Sequence, residues 1–293
     1  MGARLGIELL LKPPYPLRTF PNSINPTSPM PAETALITGA SSGIGWELAE
    51  LFARDKSNLV LVARRVDRLE ELATRLRQQH GITVEVFAQD LSIPGAPDRV
   101  LEFTRTKGLE IDVLVNNAGF GTHGYFDEIP VERQVAMLQV NVVALTHLSR
   151  LYVPGMIARR RGHILNIGST ASFQPGPNLS TYYASKAYVL SFTHGLAEEL
   201  SGTGVTATCL CPGPTETGFG EDSGMKNTLI FRMNLMGVKA VAATGYRAMR
   251  AGRGQVVPGL MNKVGAYFGS ITPRWIVRKV TRQLQTLPPR SGR

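Results

Sequence analysis

A glycine-rich run, Thr38-Gly39-Ala40-Ser41-Ser42-Gly43-Ile44-Gly45, stands between a β-rich segment at 34–38 and a helical one at 46–54, and it leaves few folds open. Glycines let the chain turn sharply and let its backbone come close to a bound group. The start of a helix offers free N–H groups and the positive end of a dipole, so a run of this kind suits a pyrophosphate. Farther on, short β-rich runs at 58–62, 83–88, 111–115, 163–167, 205–210 and 255–257 alternate with helical periods. Val66, Leu69, Leu72, Ala73 and Leu76 recur at helical spacing and leave Arg68, Glu71, Arg75 and Arg77 for solvent. A second clear helix spans 182–201, with Val189, Phe192, Leu196 and Leu200 on one stripe.

Repeated βαβ units predict an α/β architecture: a doubly wound, seven-stranded parallel Rossmann-like sheet with helices on both faces. The expected organisation is a disordered Pro-rich leader at 1–31, a single domain at 32–259 and a basic helical extension at 260–293. The leader holds seven of the nineteen prolines, and Met30, just before the first strand, is an alternative start.

The fourth β-rich run leads into Asn116-Asn117-Ala118-Gly119, and the fifth ends near Ser169. Tyr182-Tyr183-Ala184-Ser185-Lys186 follows, and only Tyr182 stands four residues before Lys186. That spacing puts both side chains on one helix face and points Tyr183 elsewhere. Pro212-Gly213, Thr215 and Thr217 come after the sixth run.

Taken in order, the glycine turn, the NNAG run, Asn141, Ser169, Tyr182, Lys186, Pro212-Gly213 and Thr217 resemble the short-chain dehydrogenase/reductase family over 34–217. The resemblance implies an enzyme that interconverts a carbonyl and a secondary alcohol, working as a homo-oligomer. Tyr182 would be its acid/base, and Ser169 would hold the substrate oxygen. Lys186 would tune the phenol and bond the nicotinamide ribose. Asn141 would hold a water linking Lys186 to solvent, or else serve as a polar kink residue bonded to nearby backbone. An ordinary tyrosine titrates near 10, and both a neighbouring ammonium and an oxidised nicotinamide favour its phenolate. A catalytically weak NADP(H)-binding sensor or scaffold is the alternative, and the full Ser169, Tyr182 and Lys186 set argues against it.

Cofactor choice is read at the end of the second β-rich run, Leu61-Val62-Ala63-Arg64-Arg65. Sites that prefer NAD(H) carry an acidic residue there, whereas arginine accommodates the extra phosphate of NADP(H). Arg64 is the first candidate for that phosphate and Arg65 the second, so NADP(H) is expected over NAD(H). The rest of the expected cofactor set is Thr38, Gly39, Ser41, Ser42, Gly43, Ile44 and Gly45 in the turn, Asp90 and Leu91 beside the adenine, and Asn117, Ala118 and Gly119 at its ribose. Tyr182, Lys186, Pro212, Gly213, Thr215 and Thr217 complete it. Asn116 is expected to brace the central strands.

The net charge of +10 conceals an asymmetry, since thirteen Lys or Arg and no Asp or Glu follow Asp222. Ile276, Val280, Leu284 and Leu287 align at helical spacing there, interleaved with Arg274, Arg278, Lys279 and Arg282. Such a helix suits peripheral contact with an anionic membrane, a coenzyme A or acyl-carrier substrate, or plain packing on its own domain. No nucleic-acid motif is present. Cys209 and Cys211 read as buried strand thiols, the five histidines lack metal-ligand spacing, and no metal is expected. A cytoplasmic setting, with at most peripheral membrane contact, fits these features. The lid expected at 218–236 carries Met225, Leu229, Ile230, Phe231, Met233, Leu235 and Met236, which suits a hydrophobic substrate such as a 3-oxoacyl, steroid-like or other ketone.

Overall fold

The computed structural model describes residues 32–225, 228–229 and 235–287. The leader at 1–31 and the lid residues Ile230, Phe231 and Met233 lie outside the described residues. Strands β1 (Thr34–Thr38), β2 (Asn58–Ala63), β3 (Val84–Ala88), β4 (Val113–Asn116), β5 (Gly162–Ile167), β6 (Val205–Leu210) and β7 (Gln255–Val256) form one sheet. Their order is β3-β2-β1-β4-β5-β6-β7, and every neighbouring pair is parallel. The expected doubly wound sheet of seven strands is therefore present. Chain direction across the sheet reverses between β1 and β4, and such a switch point opens a crevice at the carboxyl ends of the strands.

Helices α1 (Gly43–Arg54), α2 (Val66–His80), α3 (Ala96–Thr106) and α4 (Val131–Leu138) come first. A π-helical segment, Gln139–Ala144, joins α4 to α5 (Leu145–Ala158). They are followed by α6 (Ser180–Glu199), α7 (Phe219–Asp222), α8 (Val238–Arg250), α9 (Leu260–Ile271) and α10 (Arg274–Leu284). Leu48 and Phe52 of α1, Leu69, Leu72 and Leu76 of α2, and Met249 of α8 bury one face of the sheet. Val100 of α3, Leu148, Tyr152 and Met156 of α5, and Leu200 beyond α6 bury the other. Two apolar faces explain why the central strands carry no alternating polar pattern.

Most apolar positions of the predicted α2 stripe are buried, but Val66 is exposed because it opens the helix before the helix meets the sheet. The α10 stripe needs a larger correction. Its inward residues are Val277 and Thr281, followed by Gln285, while Val280 is half exposed and Ile276, Leu284 and Leu287 are only partly covered. The cause is an anchor that hydropathy does not register. The Gln285 carbonyl accepts bonds from Asn178 Nδ2 at 2.7 Å and His123 Nε2 at 3.2 Å, and its Nε2 donates to the Tyr183 hydroxyl. No described helix is long and apolar enough to cross a membrane.

Candidate active site

The switch point opens into a cleft of about 550 Å³. Its floor begins where β1 ends. Gly39 N donates to Val62 O at 2.7 Å, and Gly39 has φ +67°, a conformation that favours glycine. Thr38 braces the turn from beneath: its hydroxyl donates to Val115 O at 3.2 Å and accepts from the amides of Asn117 and Ala118, each at 3.0 Å. Gly45 also lies beneath, where a Cβ would stand 2.5 Å from both Gly39 O and Asn117 Nδ2. Thr38, Gly45 and Asn141 are the predicted site residues that do not line the cleft. Gly39, Ser41, Ser42, Gly43 and Ile44 line it directly.

At the end of β2 the two arginines behave differently. Arg65 folds back on the turn, donating to Ser42 Oγ at 2.8 Å and to Ser41 Oγ at 3.2 Å. Arg64 is exposed on the cleft wall and has no hydrogen bond or ion pair with any described residue. Asp90 and Leu91 line the same end, and Asp90 Oδ1 accepts two bonds at 2.8 Å from Ser92.

Asn117, Ala118 and Gly119 cross the middle of the cleft. Asn117 Nδ2 donates to the carbonyls of Thr38 and Gly39 at 2.9 and 3.0 Å, so this amide holds the glycine turn in shape. Asn116 braces the sheet as expected, donating to Asn166 Oδ1 at 2.9 Å and Ser149 Oγ at 3.1 Å. Beyond β6, Pro212, Gly213, Thr215 and Thr217 form the opposite wall. Thr217 closes on the turn, its methyl 3.1 Å from where a Gly43 Cβ would be.

Ser169, Tyr182 and Lys186 meet at the inner end. Ser169 caps the 3₁₀ helix Thr170–Phe173, and its Oγ accepts from Ala171 N at 3.1 Å, which leaves its own proton free to donate. Tyr182 and Lys186 share one face of α6 as their spacing requires, with Lys186 Nζ 5.8 Å from the Tyr182 ring centroid. Burial raises the Tyr182 pKa well above the ordinary tyrosine value; a hydrogen bond with Ser169 opposes the rise and Tyr183 adds to it. Burial also draws Lys186 down to about 8, against the pull of Cys209 and Cys211. Lys186 Nζ donates to Ile167 O at 2.7 Å. In this protein alone, the ammonium thus does not outweigh burial of the phenol, and Tyr182 stays protonated through the neutral range.

Asn141 lies in the π-helical segment, as π-bulges at functional sites often place a side chain. Its amide bonds Phe120 in both directions, at 3.1 and 3.0 Å, and donates to Ser185 Oγ at 3.0 Å. A Gly119 Cβ would stand 3.0 Å from Asn141 Oδ1 and 3.4 Å from Lys186 Nζ, so this glycine permits the close approach of the two groups.

Sequence reasoning placed Met225 in the expected lid but did not single out the aromatic lining residues Phe120 and Phe219. Phe120, Met225 and Phe219 enclose Tyr182 with Met137 and Ala171, and the Phe219 ring centroid is 5.3 Å from that of Tyr182. Tyr183 also lines the cleft while its hydroxyl turns to Gln285 and Gln174. No local pattern marks Gln285, whose partner lies 102 positions away.

The short chain dehydrogenase family pattern matches residues 33–228, more than half of the chain, and the chain belongs to that family of oxidoreductases. The very-long-chain 3-oxoacyl-CoA reductase of Rattus norvegicus is 32% identical over 255 residues, covering 86% of this chain and 79% of that protein. A short-chain dehydrogenase from Sphingobium yanoikuyae in complex with NADPH is similar at TM-score 0.74 and 34% identity, covering 81% of this chain and 93% of its own. The bulky-bulky ketone specific alcohol dehydrogenase from Comamonas testosteroni is similar at TM-score 0.69 and 32% identity, covering 86% of this chain and 92% of its own.

Proposed function

We propose that this chain is an NADP(H)-dependent reductase that interconverts a hydrophobic ketone and its secondary alcohol. The observation that carries the reading is the convergence of Ser169, Tyr182 and Lys186 in one cleft with a glycine turn and an unpaired arginine. The cleft's residues fit a dinucleotide. The N-terminus of α1 and the turn before it offer backbone donors to a pyrophosphate, and Arg64, unpaired among the described residues, is a cation for a 2′-phosphate. A nicotinamide bound there supplies or accepts the hydride.

The protein's own groups handle the oxygen. In reduction, the Ser169 and Tyr182 hydroxyls donate to the substrate carbonyl oxygen, and the Tyr182 proton passes to that oxygen as the alcohol forms. Burial keeps this proton on Tyr182 until it is needed. Lys186 would hold a ribose hydroxyl of a bound nucleotide, and its charge lies 5.8 Å from the Tyr182 ring centroid. Asn141 fixes the Phe120 backbone and, through Ser185, the turn of α6 that carries Tyr182.

Phe120, Phe219 and Met225 line the reacting end with apolar surface, which supports a hydrophobic substrate. The ketone and 3-oxoacyl substrates named for two relatives are of the same chemical character. The test is NADPH oxidation by the purified chain across bulky ketones and 3-oxoacyl thioesters. Turnover on apolar members is the expected result; tight NADPH binding with no turnover on any member would replace this reading with that of a sensor.

A further inference from the structure

The C-terminal extension presents an apolar face that the sequence pattern of α10 did not reveal. Along α9, Leu260, Met261, Val264, Tyr267, Phe268 and Ile271 are all exposed. At 3.6 residues per turn these six positions fall within an arc of about 120°. The opposite side of α9 is the one that packs. Ala266 and Gly269 are buried there, and a Gly269 Cβ would stand 2.9 Å from Gln174 Oε1. Trp275, also more than half exposed, carries the patch onto α10.

The charges of the extension itself have one sign. Lys263 of α9 and Arg274, Arg278, Lys279 and Arg282 of α10 are exposed, with Lys279 Nζ 5.7 Å from the Trp275 ring centroid. No acidic residue follows Asp222.

We infer that the α9 face, with the cations of α10, docks on an anionic lipid surface. Large apolar residues on one helix stripe, flanked by Lys and Arg with a Trp and a Tyr at the border, match the chemistry of the water–lipid boundary. A second copy is the poorer occupant. A two-fold contact sets a patch against itself, and here it would oppose cation to cation with no acidic residue in the extension to relieve them. Docking does not depend on the reductase reading. Its consequence does: α9 borders the cleft through Asn262, packed on Gly213, and through Gln174, so lipid would lie beside the entry of a hydrophobic ketone.

The experiment is flotation of the full chain with vesicles of phosphatidylcholine and phosphatidylserine in a two-to-one ratio, against phosphatidylcholine alone. Wild type should float with the mixed vesicles, bind the neutral ones at least about tenfold less, and detach as salt rises. The double variant Met261→Asp/Phe268→Asp should stay in solution while retaining wild-type melting temperature and NADPH affinity, because both residues are exposed. Arg278→Glu/Lys279→Glu should lose the preference for phosphatidylserine. The inference is overturned if wild type ignores the mixed vesicles, if the apolar double variant still floats, or if that variant instead dissociates an oligomer of vesicle-inert wild type. NADPH-dependent turnover of a water-soluble ketone, read in parallel, reports on the reductase reading separately.

Discussion

Two adjacent tyrosines on α6 do different work, and single substitutions separate them. Tyr182→Phe removes the transferable proton and should lower kcat by about 10² to 10⁴ while NADPH affinity, measured by fluorescence titration, stays close to wild type. Tyr183→Phe removes the acceptor for the Gln285 amide, whose buried Oε1 has no partner among the described residues. Leaving that amide unsatisfied costs about 1–3 kcal/mol, so this variant should melt lower yet keep most of its turnover. Lys186 gives a pH signature. Its folded pKa, about 8, lies below the ordinary 10.5, so between these values the unfolded chain binds the extra proton. Stability should then rise with pH from about 8 toward 10 relative to Lys186→Met, as read by urea unfolding; a flat difference would show that the ammonium is not desolvated. Tyr182 and Lys186 were readable as a pair because i,i+4 spacing places them on one helix face, whereas Ser169 was marked only by the family resemblance. Phe219 and Gln285 were marked by neither, because their roles arise from contacts that cross the fold.

At the level of elements, the proposed cofactor choice is tested at the junction of β2 with α2. Arg65 is already engaged with Ser41 and Ser42, whereas Arg64 has no partner among the described residues. A charge-assisted bond to phosphate contributes roughly 1.5–3 kcal/mol, so Arg64 should favour NADPH over NADH by about ten- to hundredfold in kcat/KM. Arg64→Asp should collapse or invert that ratio. Arg65→Asp should move it less and also loosen the glycine turn, visible as a rise in KM for both cofactors. A wild-type preference for NADH would sink the assignment. Strand positions were readable because residues buried on two sides form unbroken apolar runs, and their ends shifted only where hydrogen bonding rather than hydropathy decides the limit. Ile111 illustrates this: it is buried and apolar, but β4 begins at Val113. The rotation of α10 was illegible for a related reason, since a buried glutamine outranks the apolar stripe beside it.

Across the whole molecule, an ion pair ties the beginning of the sheet to α8. Arg250 of α8 donates to both oxygens of Glu33 at 2.6 Å. Burial alone would raise the Glu33 pKa, but its bonds with Arg250 and Ser57 and the Arg250 charge bring it below the ordinary value. A carboxyl lowered in this way stabilises the fold above its unfolded pKa, and the contribution fades as pH drops through the folded one. Glu33→Gln should therefore reduce stability at neutral pH and flatten the acid limb of the melting-temperature profile below about 4.5. The same pair spans 217 positions of sequence. During synthesis at about 5–20 residues per second, the ribosome needs on the order of tens of seconds to release the second partner after the first. Strand β1 leaves the ribosome before any other strand yet sits between β2 and β4, so its apolar edge waits for residues 113–115 before both sides are paired. Within the sheet, a chaperone that binds extended apolar segments would find its first target at Thr34–Thr38, and that target is covered once β4 pairs with it.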